Sequence, residues 1–569
     1  MFDKEELLNM KEARKEWEED PLKRWKERMP NRKDFKTLSG IPINDIYTPE
    51  ETDNIRYIED IGFPGSYPFT RGAYPTMYRS QQWSMRQLTG LGGAEETNAR
   101  FKEQLTQGTT RLGSVGDCMV YGAYDDPDTP EFDRIYGIEN LGRTGYIATT
   151  LKDYEVLYDG IPLDKVSVAS MLGHFALRET GMIFALAKKR GTPLESLRGI
   201  TQNDSLQLFA GNYYPAFPPE CELKLSMYLV KYCAENVPNW YCMSMAGYNR
   251  QECGCNAYQE IGITISDAIT YIKEALSMGI DMKTFLPRLS FHLGVTMDFF
   301  EEAAKMRAAR RVWAKVIREK FGFEEPELGI LRFYGETSGS ALTAQQPYNN
   351  IIRVTTQALS AVLGGANAVH TAAFDEALCA PTEFSANLAS RTQQIIYHET
   401  GTADVVDPLA GSYYVEYLTN EIERRSWEII NKVEEMGGSL AAIRDGFYFK
   451  EMQQTALTYQ NEIERKERII VGVNEYTGGE TQKCEIYKGS KEAIERSLAR
   501  LRQVREEREP DRVANTLENL KDTVRNKGYQ GSMEATIACC EAYCTFAEMN
   551  NAVREVCGIY RLTGNAILT

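Results

Sequence analysis

Histidine is scarce in this chain: four residues among 569, namely His174, His292, His370 and His398. No two of them stand at the spacing of zinc ligands, which disfavours a zinc hydrolase. A Gly-x-x-x-x-Gly-Lys phosphate loop, a Gly-x-Ser-x-Gly turn and a Ser-x-x-Lys element are all missing. TGLGGAEE at 89–96 is rich in glycine but does not fit the dinucleotide fingerprint. No run of about 18 apolar residues is present, so no membrane-spanning helix is expected. Positive charge is outnumbered. A net charge of −16 repels nucleic acid and keeps a surface hydrated.

Apolar residues make up 43% and charged residues 26%, the balance of a chain with an ample packed interior. The length allows about two to four domains, or one large barrel with additions. Twelve cysteines are scattered without a disulfide framework. The tight groups, Cys253 with Cys255 and Cys539-Cys540 with Cys544, have no second pair at structural-zinc spacing, so they read as small buried hydrophobes. The first residues, MFDKEELLNMKEARKEWEED, are charged from the start, unlike a signal peptide. A cytoplasmic chain with reduced thiols is the expectation.

Residues 1 to 36 read as a charged helix and an extended arm broken at Pro21 and Pro30, with Trp17 and Trp25 offered to a partner or folded back. Beyond residue 55 short apolar runs alternate with helical stretches. The runs are RLGSV (111–115), KVSVASM (165–171), LRGIT (197–201), WYCMSMA (240–246), PRLSFHLGV (287–295), LGILRFY (328–334) and NAVHTAA (367–373). In the helical stretch after residue 299, Val312, Trp313, Val316 and Ile317 form an apolar stripe. Strand and helix in alternation imply a parallel α/β sheet. A (β/α)8 TIM barrel is the first choice and a doubly wound open sheet the second. The expected division is an N-terminal arm over 1–50, the barrel over 51–405 and a mainly helical C-terminal region over 406–569. In a barrel the chemistry sits at the carboxyl ends of the strands. Polar groups follow several runs there: Gln202-Asn203-Asp204, Tyr248-Asn249, Glu336-Thr337-Ser338 and Asp375-Glu376. Asp204 and Ser338 read as helix caps and the others as site residues.

Longer strings narrow the reading. YPFTRGAYPTMYR (67–79), RQLTGLGGAEETN (86–98), YDGIPLDKVSVA (158–169), TAQQPYNNIIR (343–353), HTAAFDEAL (370–378), RTQQIIYHETG (391–401) and DPLAGSYYVE (407–416) together resemble the large subunit of the coenzyme B12-dependent acyl-CoA mutases. This is the methylmalonyl-CoA and isobutyryl-CoA mutase family. The resemblance implies a barrel that takes a CoA thioester along its bore, with adenosylcobalamin at its mouth. It implies a radical carbon-skeleton rearrangement, in which the cofactor does the hard step and the protein positions the substrate and excludes water. The family's Asp-x-His-x-x-Gly cobalt-binding loop is absent from the sequence. The implied partner is therefore a small B12-binding subunit, in a hetero-oligomer with no metal ligand on this chain.

Tyr74, Thr76, Ser84, Arg86, Arg288 and Ser290 match family positions that contact the CoA chain, its phosphates or the thioester end. Gln81 replaces an arginine that helps hold a CoA phosphate in methylmalonyl-CoA mutases. Glu376 matches a residue that holds the adenosyl ribose, and Gln202 a glutamine near the substrate. Glu336 stands where the family often has another glutamine.

Three departures bear on the substrate. Leu88 replaces an aromatic residue that packs on the migrating group, Asn212 stands where an arginine clamps the free carboxylate of methylmalonyl-CoA, and Asn249 replaces a histidine that donates to the thioester carbonyl. A carboxylate without its arginine would be desolvated and unpaired, which disfavours methylmalonyl-CoA and favours an uncharged branched or hydroxylated acyl group. The Asn249 amide still donates, and no proton need move in a radical rearrangement. Asp117 is placed to accept a substrate hydroxyl or, equally, to serve a turn. The alternatives are a non-catalytic homologue that binds CoA or a partner subunit, and an ordinary methylmalonyl-CoA mutase with a shifted carboxylate clamp.

Overall fold

A computed structural model describes residues 4–560 except 87, 107–110, 171–172, 211–216, 479–483, 485 and 488. Asn212 lies outside the described residues, and of Leu88 only the backbone is described. Among the described residues there are ten short strands: β1 (Ser84–Arg86), β2 (Leu88–Thr89), β3 (Arg111–Ser114), β4 (Ser167–Ser170), β5 (Arg198–Thr201), β6 (Trp240–Tyr241), β7 (Ser244–Ala246), β8 (Ser290–Val295), β9 (Phe333–Thr337) and β10 (Ala368–His370). They form two five-stranded sheets, ordered β1-β10-β9-β8-β7 and β2-β3-β4-β5-β6. Every pairing between them is parallel. The fold is therefore mixed α/β with parallel sheets, as the alternating runs predict. The segment 328–334 starts later than expected: Pro326–Gly329 is a 3-10 turn, and β9 begins at Phe333.

Helices follow the strands in turn. Ala94–Thr106 follows β2, Leu151–Leu157 follows β3, Ala176–Lys189 follows β4 and Pro219–Asn236 follows β5. Ala257–Ser277 follows β7, Phe299–Lys315 follows β8, Asn349–Leu363 follows β9 and Glu383–Glu399 follows β10. Parallel strands need such crossovers because a tight turn cannot return the chain to the same end of a sheet.

The helix Phe299–Lys315 shows how the core is built. Val312 and Trp313 are buried, as the apolar stripe predicts, but so are Lys305, Arg307, Arg310 and Arg311. Those charges survive burial because each has partners. Arg307 pairs with Asp407 and, at 2.6 Å, with Glu416, while Arg310 donates to the carbonyls of Phe69, Thr70 and Gly364. The long helix Tyr413–Glu435 packs across this helix and across Ala257–Ser277, which makes a second layer outside the crossover helices. Its buried Val415, Leu418 and Ile422 join the same hydrophobic cluster as the strand residues.

The amino-terminal arm differs from the sequence reading. Pro21 does not break the helix: Lys4–Trp17, a π-helical turn over Glu18–Leu22 and Lys23–Arg28 run on without a gap. The wider turn accommodates a residue that cannot donate its N–H. Arg14 bonds Glu51 at 2.6 Å, so the arm is seated on its own chain while Trp25 stays 59% exposed. In the charged run RLRQVREEREPDR, Arg505 pairs with Asp128 and Asp126, and Arg508 with Glu548.

Candidate functional site

Because side chains alternate along a strand, residues two apart share a face. Arg111 and Gly113 on β3, Ser167 and Ala169 on β4, and Arg198 and Ile200 on β5 occupy one such face, and all six are partly or fully accessible. Their neighbours Leu112, Ser114, Val168, Ser170, Gly199 and Thr201 are buried under the helices. One face of this sheet is thus open, and it is lined by Gly113, Ala169 and Ile200 at mid-strand and by two arginines and a serine at the strand starts.

The corresponding face of the other sheet is filled. His292 on β8 and Tyr334 on β9 are buried there, with ring centroids 4.6 Å apart. The Tyr248 ring stacks on the same imidazole at 4.8 Å. The Arg86 guanidinium lies 4.6 Å over the Tyr334 ring, a cation–π contact. Two hydrogen bonds fix the imidazole in its plane. The Gln202 amide nitrogen lies 3.2 Å from Nδ1, and Glu336 Oε2 lies 2.7 Å from Nε2. With Gln202 donating to Nδ1, the ring proton sits on Nε2 and is donated to Glu336. Burial pushes the Glu336 carboxyl up, but the hydrogen bond from His292 leads the effects that outweigh it and lower the group to about 2.

The predicted residues fall at two ends of the strands. At the amino ends, Ser84 opens β1, Ser290 opens β8 and Arg288 precedes it in the turn Leu286–Arg288. Arg111 donates to Ser84 Oγ at 3.2 Å, and Arg332, just before β9, donates to the Tyr74 hydroxyl at 2.9 Å. Tyr74 and Thr76 are exposed. Arg288 lines a small cleft with Trp240, Met243 and Phe285. Ser290 Oγ is buried with no hydrogen-bond partner among the described residues, an unmet group that a ligand would satisfy.

At the carboxyl ends lie Gln202, Asn249, Glu336 and Glu376. Asn249 is half-buried in the first turn of the helix Tyr248–Glu252, beside the ring that stacks on His292. A Cβ on Gly339 would stand 3.1 Å from Glu376 Oε1 and 3.8 Å from Glu252 Oε2, which puts both carboxylates at one loop. Burial, then the charges of Glu336 and Glu252, push Glu376 up to about 8. Burial likewise pushes Glu252 up to about 7.

Several strand-end residues serve the frame instead. Asp117 is fully buried, with Oδ1 accepting from Met119 N–H at 2.9 Å and Oδ2 from Gly142 N–H at 2.7 Å. It caps the helix Cys118–Gly122, which is the turn role of the two that the sequence offers. Asn203 donates to the Ser226 carbonyl, and Thr337 Oγ1 accepts from Ala372 N–H. Asp204 accepts from Ala246 N–H and from the Tyr271 hydroxyl. The residues missed from sequence are His292, Tyr334, Arg111 and Arg198. Each lies in a run already assigned as a strand, two residues from a candidate or at a strand start, but its partners across the strands are not visible in its local sequence.

Polar groups thus gather at the ends of parallel strands in an α/β chain, the arrangement in which such folds carry an active site. The family model described as methylmalonyl-CoA mutase matches residues 36–559, and the chain belongs to that family of B12-dependent acyl-CoA mutases, which are isomerases. The 2-hydroxyisobutanoyl-CoA mutase large subunit of Aquincola tertiaricarbonis is 37% identical over 97% of this chain and 98% of its own length. The methylmalonyl-CoA mutase of Rhizobium meliloti (strain 1021) is 35% identical over 92% of this chain and 72% of its own length. The methylmalonyl-CoA mutase large subunit of Porphyromonas gingivalis (strain ATCC BAA-308 / W83) is 33% identical over 95% and 74%. No helix among the described residues is long and apolar enough to cross a membrane.

Proposed function

We propose that this chain is the thioester-binding large subunit of a mutase that rearranges an uncharged branched or hydroxylated acyl-CoA. In this reading residues 51–405 close into one (β/α)8 barrel, flanked by the arm and the helical C-terminal region. One residue separates β1 from β2 and two separate β6 from β7, so each pair counts as one strand shared by both sheets. Eight strand positions then follow one another in a ring.

The substrate lies along the strands in this reading. Tyr74, Thr76, Ser84, Arg86, Arg288 and Ser290 take the CoA portion, arginine offering forked donors to phosphate oxygens. The acyl end reaches the carboxyl ends of the strands, where Gln202 and Asn249 offer amides to the thioester carbonyl. Leu88 is aliphatic where the family pattern has an aromatic residue. Asn212 leaves no guanidinium for a free carboxylate, which would then stay desolvated and unpaired. We read Asp117 as a cap. The observation that carries the reading is the segregation of polar residues to both ends of the strands, with the orphaned Ser290 hydroxyl at one end and the Gln202–His292–Glu336 set at the other.

Glu376, half-buried at the strand ends, fits a sugar hydroxyl: its carboxyl is held near neutral pH and so both donates and accepts. Adenosylcobalamin, when bound, supplies the hydrogen-abstracting radical chemistry. The residues here position the acyl group and keep water away. Following the large-subunit name of the 37% identical relative, we assign the cofactor's main hold to a small B12-binding subunit in a hetero-oligomer. A hydroxyacyl substrate is the first choice, following the name of the 37% identical relative.

Reconstitution with a small subunit and adenosylcobalamin, followed by chromatography of product thioesters, tests this. Isomerisation of hydroxyisobutanoyl-CoA or isobutyryl-CoA is expected. Turnover of methylmalonyl-CoA alone, or of no thioester, would overturn the reading.

A further inference from the structure

We propose that His292 is a positioning residue that fixes the amide of Gln202 and the carboxylate of Glu336 as the polar groups facing the acyl end, a pairing that admits an uncharged or hydroxylated acyl group and turns away a free carboxylate. The inference rests on the reading above and gives it a source of selectivity within this chain.

One imidazole joins three separate strands. His292 is on β8, Glu336 on β9, and Gln202 directly follows β5. Both ring nitrogens are taken, at 3.2 Å by Gln202 and at 2.7 Å by Glu336. The faces of the ring are held by Tyr248 and Tyr334, at 4.8 and 4.6 Å. An imidazole so enclosed has no freedom to turn toward a substrate. Its effect is carried by the two groups it holds. A glutamine amide can turn over by half a rotation and exchange its donor and acceptor ends. Nδ1, as an acceptor, selects the orientation in which the Gln202 nitrogen points at the ring and its oxygen points elsewhere.

Glu336 is the second consequence. The ring takes only Oε2, and the carboxylate stays negative beside it. A free carboxylate on the acyl group would then meet a like charge where water is excluded, a juxtaposition that costs several kcal/mol. A hydroxyl would instead donate to the same group. Glu252 and Glu376 add no positive charge and act with Glu336 on the electrostatics around Tyr248, while the Arg86 guanidinium over the Tyr334 ring feels the Glu336 charge and is assigned above to the CoA portion.

The test measures dissociation constants of the full-length chain, without cofactor, for isobutyryl-CoA, 2-hydroxyisobutanoyl-CoA and methylmalonyl-CoA by calorimetry. Omitting the cofactor makes any preference for the hydroxylated thioester report on the acyl hydroxyl and not on a ribose. Glu336→Gln keeps a group that accepts from Nε2–H and loses only the charge. It is expected to narrow the gap between methylmalonyl-CoA and isobutyryl-CoA by about tenfold or more. His292→Leu removes both contacts and is expected to narrow the gap as well. His292→Gln, which restores a donor to Glu336, is expected to recover most of it. An unchanged ratio in folded Glu336→Gln and His292→Leu overturns the proposal, as does an equal loss in His292→Leu and His292→Gln that follows their melting temperatures. If wild type binds and discriminates but the reconstituted enzyme turns over nothing, the functional reading fails and the selectivity stands. If no thioester binds, both fail.

Discussion

Lys305 donates at 2.7 Å to Glu260, and both side chains are fully buried. The same ammonium donates to the Gly294 carbonyl at 2.7 Å, and Glu260 accepts from Gly294 N–H at 2.7 Å. Gly294 is two residues beyond His292 on β8. The pair therefore ties the helices Phe299–Lys315 and Ala257–Ser277 to the strand that carries the imidazole.

Replacing Lys305 by Met should cost about 3–5 kcal/mol, because Glu260 and Glu302 would be left buried without their cation. Chemical denaturation followed by tryptophan fluorescence reads the change. A loss below about 1 kcal/mol would show that the carboxylates relax without the lysine.

Glu376 should make the folded chain less stable as pH rises. Its folded carboxyl sits at about 8 against an ordinary 4.5, so the stabilising protonated form is fully present below about 4.5 and is lost as pH climbs through about 8. Melting temperatures between pH 5 and 9 should fall less steeply in Glu376→Gln than in wild type. Parallel curves would remove Glu376 from this role.

Asp117→Ala should lower stability by about 1–3 kcal/mol, since the Met119 and Gly142 amides lose their acceptor in a buried site. Asp117→Asn should reduce turnover of hydroxylated and unhydroxylated thioesters alike. A selective loss with the hydroxylated one would return Asp117 to substrate binding.

Arg288→Ala should raise the KM for any acyl-CoA about tenfold, the effect of losing one charge-assisted contact, with kcat little changed. The effect should shrink as salt rises. A fall in kcat at constant KM would place Arg288 away from the CoA portion.

How far the chain could be read in advance is clear from single elements. KVSVASM and LRGIT announced β4 and β5 because a parallel strand covered by helices is a short apolar run bounded by polar residues. Pro21 misled, because whether a proline ends a helix depends on whether a π turn can absorb it. His292 was passed over because nothing in its local sequence shows what lies across the strands.

The order of apolar runs and helices determined by itself that this is a parallel α/β chain, since hydrophobic periodicity is local and survives without a partner. The strings from YPFTRGAYPTMYR onward determined the family. Tertiary structure alone decided which polar residues act together. Gln202 and His292 are 90 residues apart, and His292 and Glu336 are 44 apart. His292 and Glu336 meet because the neighbouring parallel strands β8 and β9 place side chains of the same face side by side, while Gln202 reaches the ring from the end of β5 in the other sheet, and both hydrogen bonds exist only once the sheets are assembled.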